Sequence, residues 1–314
     1  MNNTQPSSVA FFILQGLGSL GEKRMVLFVI FLLAYTIILG GNSMIIYLVL
    51  YTLHSHLHEI TLGSPMYFFL HHLSFVDMVY TTVTIPNMLS GFLTDLKTVS
   101  FPGCFLQMYC FIHMATTGRA LLTVMAYDRY VAICNPLRYT TVMTRPVRLL
   151  LIVGAWTFGA FFTLPAITMA TQRSYCGPNV VRHCWCDPSS LRVLVCGDTQ
   201  VENMVSLSSA VISLLTTGLL ILISYILIVM AIAKMGTTQR LKAFTTCVAH
   251  LTVVNIVPLC ALYIIVVLLL QVRIIVSVLY SVLTPFLNPM IYSLRNKELR
   301  DAIKRAFFKV LSNC

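Results

Sequence analysis

Seven stretches of this chain, each long enough to cross a lipid bilayer, are free or nearly free of charged side chains. A helix needs about 20 residues to span the hydrocarbon core, and inside lipid the backbone must satisfy its own hydrogen bonds. Long continuous apolar runs favour helices over the short alternating segments of membrane β-barrels. The stretches begin near Val26, Pro65, Phe101, Val147, Met204, Ala243 and Ile274 and end near Tyr51, Phe92, Cys134, Ala170, Ala233, Leu268 and Leu294. The sequence therefore predicts an all-α fold, a seven-transmembrane helix bundle.

Composition indicates that lipid is the solvent for much of the chain. Hydrophobic residues make up 58% and charged residues 10% of the 314 positions, whereas soluble domains carry about 25% charged residues. The net charge is +11. The basic residues that produce it are scattered over short membrane-flanking segments and not gathered on one domain, so we expect a lipid bilayer and no nucleic acid as partner. A transporter would often show internal repeats, and the sequence has no clear repeat. A membrane enzyme would need a catalytic cluster such as a metal-spaced pair of histidine and glutamate within the spans, and none appears.

The distribution of lysine and arginine predicts the orientation, because basic residues concentrate in the cytoplasmic loops of membrane proteins. With the N-terminus outside, 13 of the 21 basic residues lie inside. They are Arg129, Arg138, Arg145, Arg148, Lys234, Arg240, Lys242, Arg295, Lys297, Arg300, Lys304, Arg305 and Lys309. We therefore predict a multi-pass plasma-membrane protein with an extracellular N-terminus and a cytoplasmic C-terminus.

This orientation divides the chain into three parts. Residues 1–25 form an extracellular segment that carries a glycosylation sequon at Asn2, residues 26–294 form the transmembrane receptor domain, and residues 295–314 form a cytoplasmic tail. In the tail, apolar residues recur at helical spacing with basic residues between them. This pattern predicts a short amphipathic helix on the inner membrane surface, and a plain solvated tail is the alternative.

Five cysteines fall in the segments assigned to the outside, where disulfides form. They are Cys104, Cys176, Cys184, Cys186 and Cys196. Because five is odd, at most two bridges form there and one thiol remains. The run from His183 to Asp187 also resembles a soft-metal site, since imidazole and thiolate suit copper or zinc. An oxidised Cys186 cannot serve as a thiolate ligand, so we expect no metal.

Several blocks of sequence carry a family resemblance by their content and order. Residues 65–70 read PMYFFL, 125–134 read MAYDRYVAIC, 242–250 read KAFTTCVAH and 285–296 read PFLNPMIYSLRN, with Ser224-Tyr225 between them. Together with Gly41-Asn42 in the first stretch, these blocks resemble the olfactory receptors, a family of rhodopsin-like G protein-coupled receptors, nearly from end to end. Tyr127 is the form typical of the terrestrial (class II) branch.

The resemblance implies an odorant receptor that activates a heterotrimeric G protein of the stimulatory, olfactory type and raises cyclic AMP. It implies a short amphipathic helix after the seventh span, no enzyme activity and no cofactor. A rhodopsin-like receptor for a non-odorant small molecule, acting outside the olfactory epithelium, remains the alternative. A membrane transporter is the less favoured alternative from another class.

Polar groups inside lipid are costly and usually functional, and the resemblance gives a set of them a role in activation and G-protein coupling. Arg129 is expected to release local partners and help form the cytoplasmic cleft for the G protein. Pro289 is expected to free a backbone carbonyl in a polar core between helices. The full set is Asn42, Asp77, Asp128, Arg129, Tyr130, Tyr225, Asn288, Pro289 and Tyr292. Interhelical hydrogen bonding alone is the alternative role for Asn42 and Asn288.

The resemblance also implies two disulfides and a ligand pocket. The bridges join Cys104 to Cys186 and Cys176 to Cys196, which leaves Cys184 over. The pocket lies between the outer halves of the third, fifth, sixth and seventh helices. Its candidate lining is Met108, Phe111, Ile112, Ala115, Thr116, Ser209, Ser213, Ala261, Ile265, Val278 and Ser281. The set holds apolar walls, a few hydroxyls and no acid, which favours a small, mostly neutral volatile over an amine.

Three features depart from the family pattern. Gly118 stands where the family usually has a glutamate that would hold sodium with Asp77, and Arg119 follows it. We expect Arg119 to pair with Asp77 or a backbone carbonyl. Residues 257–259 lack the usual aromatic of the sixth helix. The first cytoplasmic loop is longer than usual and holds three histidines at alternate positions, which could bind metal or sense pH, although a solvated loop is the preferred interpretation.

Overall fold

The structure is a computed structural model that describes residues 9–15, 23–54, 65–94, 97–176, 178–234, 236 and 270–295. Within these ranges eight helices alternate with short connecting segments. They are α1 (Lys23–His54), α2 (Pro65–Leu93), α3 (Phe101–Cys134), α4 (Tyr139–Val142), α5 (Arg145–Thr171), α6 (Pro188–Arg192), α7 (Gln200–Ala233) and α8 (Leu270–Arg295). The six long ones correspond to the predicted spans other than the sixth, which lies outside the described residues.

Local sequence signals explain why α3 has the predicted ends. The helix begins at Phe101 with Pro102 in its first turn, and the hydroxyl of Ser100 accepts a hydrogen bond from the N–H of Gly103 at 3.3 Å. Proline suits the first helical turn because its missing N–H has no helical partner there. At the other end, Asn135 precedes Pro136, which disfavours further helix.

The bundle is organised around α3, which packs against α2, α5 and α7, while α1 packs against α2 and α8. A glycine allows the closest of these approaches. A Cβ atom on Gly159 of α5 would overlap the side chain of Thr117 on α3. The two helix backbones can therefore approach closely here, as small residues allow in membrane bundles.

Large apolar side chains cover the outer surface of the helices. Leu150 and Phe161 on α5 are 70% and 71% exposed, and Val229 on α7 is 62% exposed. Three described helices, Arg24–Tyr51, Arg145–Thr171 and Gln200–Ala233, are long and apolar enough to cross a membrane. The similarly long α2 and α3 carry more polar side chains in the interior. An apolar surface around a partly polar interior is the arrangement expected of a protein dissolved in lipid.

The outer end of the bundle carries a small sheet that the all-α prediction did not include. Strand β1 (Phe11–Leu14) pairs antiparallel with β2 (Lys97–Ser100) and parallel with β3 (Val180–Val181). The side chains of β1 alternate, with Phe12 and Leu14 buried, as the period of a strand requires. Part of the predicted extracellular segment is therefore folded against two outer loops.

Candidate functional site

Two disulfides fix the long loop between α5 and α7. Cys104 on α3 bonds Cys186, with their Cα atoms 5.5 Å apart, and Cys176 bonds Cys196, with Cα atoms 5.2 Å apart. These are the pairs that the resemblance implies, and Cys184 belongs to neither. Because Cys186 is in a disulfide, it is not available as a thiolate for the metal site considered from the sequence.

The loop inserts Trp185 into the bundle. Its side chain is completely buried in a cluster with residues of α1, α2 and α8. The indole lies 5.5 Å from the ring of Phe111 on α3, which in turn stacks on Tyr80 at 5.3 Å. The indole N–H has no hydrogen-bond partner among the described residues. Trp185 therefore packs against two of the predicted pocket residues, Phe111 and Val278.

The predicted pocket residues fall into three neighbouring groups. Met108 and Ile112 pack with the outer cluster that includes Phe12 and Tyr175. Phe111 and Val278 belong with Trp185, and Ala115 lines a deeper cavity between α2, α3 and α8. The candidates are therefore divided between the neighbourhood of α5 and α7, where Met108 lines one cavity, and that of α2 and α8, where Ala115 lines another.

Two of the predicted pocket hydroxyls already donate hydrogen bonds within their own helices. Ser213 donates to the carbonyl of Ala210 at 3.0 Å, and Ser281 donates to that of Val278 at 2.8 Å. Both serines are buried, and their oxygens keep lone pairs for a ligand donor. Ser209 on α7 is half-buried.

An outer cavity, which offers about 30 Å³ to the centres of water-sized molecules, lies between α3, α5, α7 and the long loop. Glu202 lines it and is held by the guanidinium of Arg173. Burial, followed by the charge of Glu202, raises the pKa of Tyr175 to about 12. The sequence prediction missed Glu202, because its pairing with Arg173 across the loop leaves no mark in the local pattern.

The deeper cavity, called here the central cavity, offers about 30 Å³ to the centres of water-sized molecules. Asp77 lies in its wall and accepts a hydrogen bond at 2.6 Å from Asn288 of α8. Arg119 lies in the same wall. Its Nη2 donates to the hydroxyl of Thr116 at 3.2 Å, so the expected pairing with Asp77 or a carbonyl is wrong. Gly118 also lines the cavity and supplies no carboxylate.

A proline and an asparagine join α1 to α8 beside this cavity. Pro289 has no N–H, so the carbonyl of Pro285, one turn earlier, lacks its usual helical partner. The side-chain amide of Asn42 donates to that carbonyl at 3.4 Å and to the carbonyl of Ile38 at 2.9 Å. A Cβ atom on Gly41 would lie 3.0 Å from the ring of Pro289, so a glycine is needed for this approach.

Near the C-terminal end of α3, which is predicted to be cytoplasmic, Arg129 is held by its neighbour Asp128. The guanidinium donates to one carboxylate oxygen at 2.6 and 3.2 Å. The other oxygen accepts a hydrogen bond at 2.8 Å from the phenol of Tyr139 on α4. Burial, followed by the charge of Asp128, raises the pKa of Tyr139, so the phenol stays protonated and donates. Sequence reasoning missed Tyr139.

Tyr130 and Tyr225 complete the described coupling residues. Tyr225 on α7 is buried in the cluster that packs α2, α3 and α7 together, and Tyr130 packs against that cluster. Other predictions concern parts of the chain outside the described residues or side chains. They are Asn2, the loop histidines, residues 257–259, Ala261, Ile265, the side chain of Tyr292 and the amphipathic tail.

Both the fold and the sequence resemble those of known proteins. The fold resembles that of squid rhodopsin with a TM-score of 0.63 at 18% sequence identity, over 91% of this chain and 85% of that one. The chain therefore has the seven-helix architecture of the rhodopsin-like receptors. A family model described as Olfactory receptor matches residues 31–310, and the chain belongs to the olfactory receptor family.

Relatives from two mammals match over nearly their whole length. Olfactory receptor 10T2 of Homo sapiens is 42% identical over 95% of this chain and 94% of its own. Olfactory receptor 6P1 of Homo sapiens is 39% identical over 100% and 98%. Olfactory receptor 5G25 of Mus musculus is 40% identical over 98% and 96%. The protein is thus a membrane receptor of this family and not an enzyme.

Proposed function

We propose that this chain binds a small, mostly neutral volatile within the outer half of the bundle and activates a stimulatory, olfactory-type G protein, which raises cyclic AMP. One observation carries the proposal. The same helix, α3, bears Phe111 beneath the loop residue Trp185 and Arg129 at its cytoplasmic end. A ligand that displaces α3 at the outer end therefore acts on the helix that holds the coupling arginine.

The described lining supports the choice of ligand class. Phe111, Ile112 and Val278 offer apolar surface, and burial of apolar ligand surface contributes about 25 cal/mol per Å². Ser213 and Ser281 donate to their own helices, so they can accept a hydrogen bond from a ligand alcohol. A cationic amine would need an unpaired buried carboxylate. Glu202 of the outer cavity is already paired with Arg173, and Asp77 lines the central cavity together with the cation Arg119.

Polar contacts between the ligand pocket and Arg129 support the proposed coupling of ligand binding to G-protein activation. Asn288 joins α8 to Asp77 of α2, and Asn42 joins α1 to α8. Both bonds tie α8 to neighbours that would have to release it for α8 to move. Separation of Asp128 from Arg129 would free the guanidinium for the cytoplasmic cleft.

The orientation is part of the proposal, with the N-terminus outside and the plasma membrane as the location. Both disulfides lie at the end of the bundle that carries β1, and disulfides form on the oxidising side of a membrane. An epitope tag before Asn2 should be stained on intact cells, and a tag after Cys314 only on permeabilised cells. The reverse pattern would contradict the orientation.

A ligand panel on cells that express the receptor with an olfactory-type G protein tests the function, with cyclic AMP as the readout. Phe111→Ala should weaken the response to the best agonist, because the ring lies against Trp185. Phe161→Ala is the matched control, since that ring is 71% exposed on the lipid-facing side of α5. Agonists that are permanently charged amines, or equal effects of the two variants, would contradict the proposed pocket.

A further inference from the structure

Arg119 is a charged side chain in the interior of the third span, and its hydrogen bonding is incomplete. A guanidinium keeps its charge in any protein environment. Its Nη2 donates to Thr116, whereas its Nε is shielded from solvent and has no hydrogen-bond partner among the described residues. Ionisable residues inside a membrane are costly and mark ligand or ion pathways. An anionic partner would therefore stabilise the Arg119 side chain in this environment.

The protein's nearest carboxylate does not supply that partner. Asp77 and Arg119 line the same central cavity, yet no ion pair joins them among the described residues. The carboxylate of Asp77 instead accepts the bond from Asn288 at 2.6 Å. A negative group that enters the cavity could therefore pair with Arg119 without displacing an existing ion pair.

The remaining walls of the central cavity suit the apolar part of such a ligand. Leu73, Val76, Met114 and Leu122 contribute apolar surface. Ala115 lines this cavity and is also a candidate residue of the ligand pocket. Thr116, which accepts the bond from Arg119, is the next pocket candidate along α3. The cation therefore lies at the inner end of the proposed odorant pocket.

We propose that Arg119 binds the carboxylate of a short-chain carboxylic acid whose hydrocarbon part lies on these apolar walls. The inference rests on the proposed function and narrows its ligand class, because such an acid is volatile when neutral and ionised in water at neutral pH. Arginine recognises a carboxylate through two parallel N–H···O bonds. The same charge excludes amines from this end of the pocket.

The test compares a short-chain acid with its methyl ester and with the alcohol of the same carbon skeleton. Two readouts are used: cyclic AMP in cells, and the thermal stability of the purified full-length receptor in detergent. Arg119→Gln removes the charge. Arg119→Lys keeps a positive charge but lacks the planar guanidinium that donates two parallel hydrogen bonds. Arg182→Gln is the matched control, because Arg182 is exposed in the outer loop.

For the unaltered receptor, we expect the acid to be at least tenfold more potent than the ester, which corresponds to about 1.4 kcal/mol. Arg119→Gln should abolish this preference, Arg119→Lys should keep part of it, and Arg182→Gln should leave it unchanged. Because Arg119 has no ion pair among the described residues, its replacement leaves no opposite charge without its partner. An acid-to-ester ratio that survives Arg119→Gln would overturn the proposal.

Chloride is a second source of the same negative charge, so the binding measurements are made with and without it at constant ionic strength. Weaker stabilisation by the acid in chloride would support an anion site at Arg119. An acid that stabilises the chloride-free receptor no better than its ester would refute the carboxylate site, whatever the response to neutral odorants. Acid-specific stabilisation that raises no cyclic AMP would support the site and contradict the proposed signalling.

Discussion

Replacing Tyr139 by phenylalanine should raise the basal activity of the receptor. The change removes the hydroxyl that donates to Asp128 at 2.8 Å and leaves the ring in place. Asp128 is completely buried, so the carboxylate oxygen that loses its donor has little access to water. The Tyr139 bond is observed in the arrangement in which Asp128 holds Arg129, so its loss weakens that arrangement relative to one in which Arg129 is released and this bond is already broken.

The expected size of the effect follows from the charge and the exposure of the pair. Hydrogen bonds to charged groups contribute about 1.5–3 kcal/mol, and the lower end applies because Tyr139 is half-buried. A loss of about 1.5 kcal/mol changes the ratio of held to released Arg129 roughly tenfold. Basal cyclic AMP per receptor at the cell surface should therefore rise several-fold.

The assay measures cyclic AMP without ligand and normalises it to surface receptor. Tyr47→Phe is the matched control, since Tyr47 is 57% exposed on α1 and its loss should leave basal activity unchanged. Asp128→Asn combined with Tyr139→Phe should give less than the sum of the single effects, because both act on one hydrogen-bonded group. Unchanged basal activity of Tyr139→Phe at normal surface level would refute this account of the Arg129 contacts.

Three further predictions address the coupling residue, the loop and the helix packing. Arg129→Ala should reach the cell surface and lose the cyclic AMP response to agonist, and a normal response at normal surface level would contradict its role. Cys186→Ser should lose surface delivery, since loss of a native disulfide costs about 2–5 kcal/mol, whereas Cys184→Ser should be much milder in the same flow-cytometry assay. Gly159→Ala should lower the melting temperature of the purified receptor, because overpacking costs about 1–3 kcal/mol. Gly154→Ala, where the added methyl meets open space, should be neutral or slightly stabilising, and equal melting temperatures for the two variants would argue against the close approach.

Much of the fold could be predicted from the sequence, because its main signals are local. The predicted third span, from Phe101 to Cys134, has the bounds of α3, since apolar length, a capping serine and flanking prolines act within a few residues of each end. The absence of an N–H at Pro289 likewise predicts a free carbonyl from the residue type alone. That this carbonyl, which belongs to Pro285, accepts a hydrogen bond from the amide of Asn42, 243 positions away, depends on assembly of the bundle.

The parts that sequence reasoning missed depend on contacts between distant segments. Strand β1 exists because an apolar run near the N-terminus meets two outer loops, and a four-residue run is ambiguous by itself. Glu202 pairs with Arg173, 29 positions away, and Asp128 accepts a hydrogen bond from a phenol 11 positions away. In the same way, the apolar side chain of Trp185 is expected to be buried, but the sequence does not show which residues it packs against.

The position of β1 has a consequence for the order in which the receptor is built. Phe11 and Ile13 leave the ribosome well before Asn179, which their backbone groups bond and which lies about 168 residues later in the chain. At a synthesis rate of roughly 5–20 residues per second, that wait is on the order of 10 to 30 s. During this interval Phe12 lacks Tyr175, one of the rings that it packs against, and β1 lacks its partner β3, so the strand is open to a chaperone that binds extended apolar chain. The sheet is therefore completed late in biosynthesis, although β1 is made long before β3.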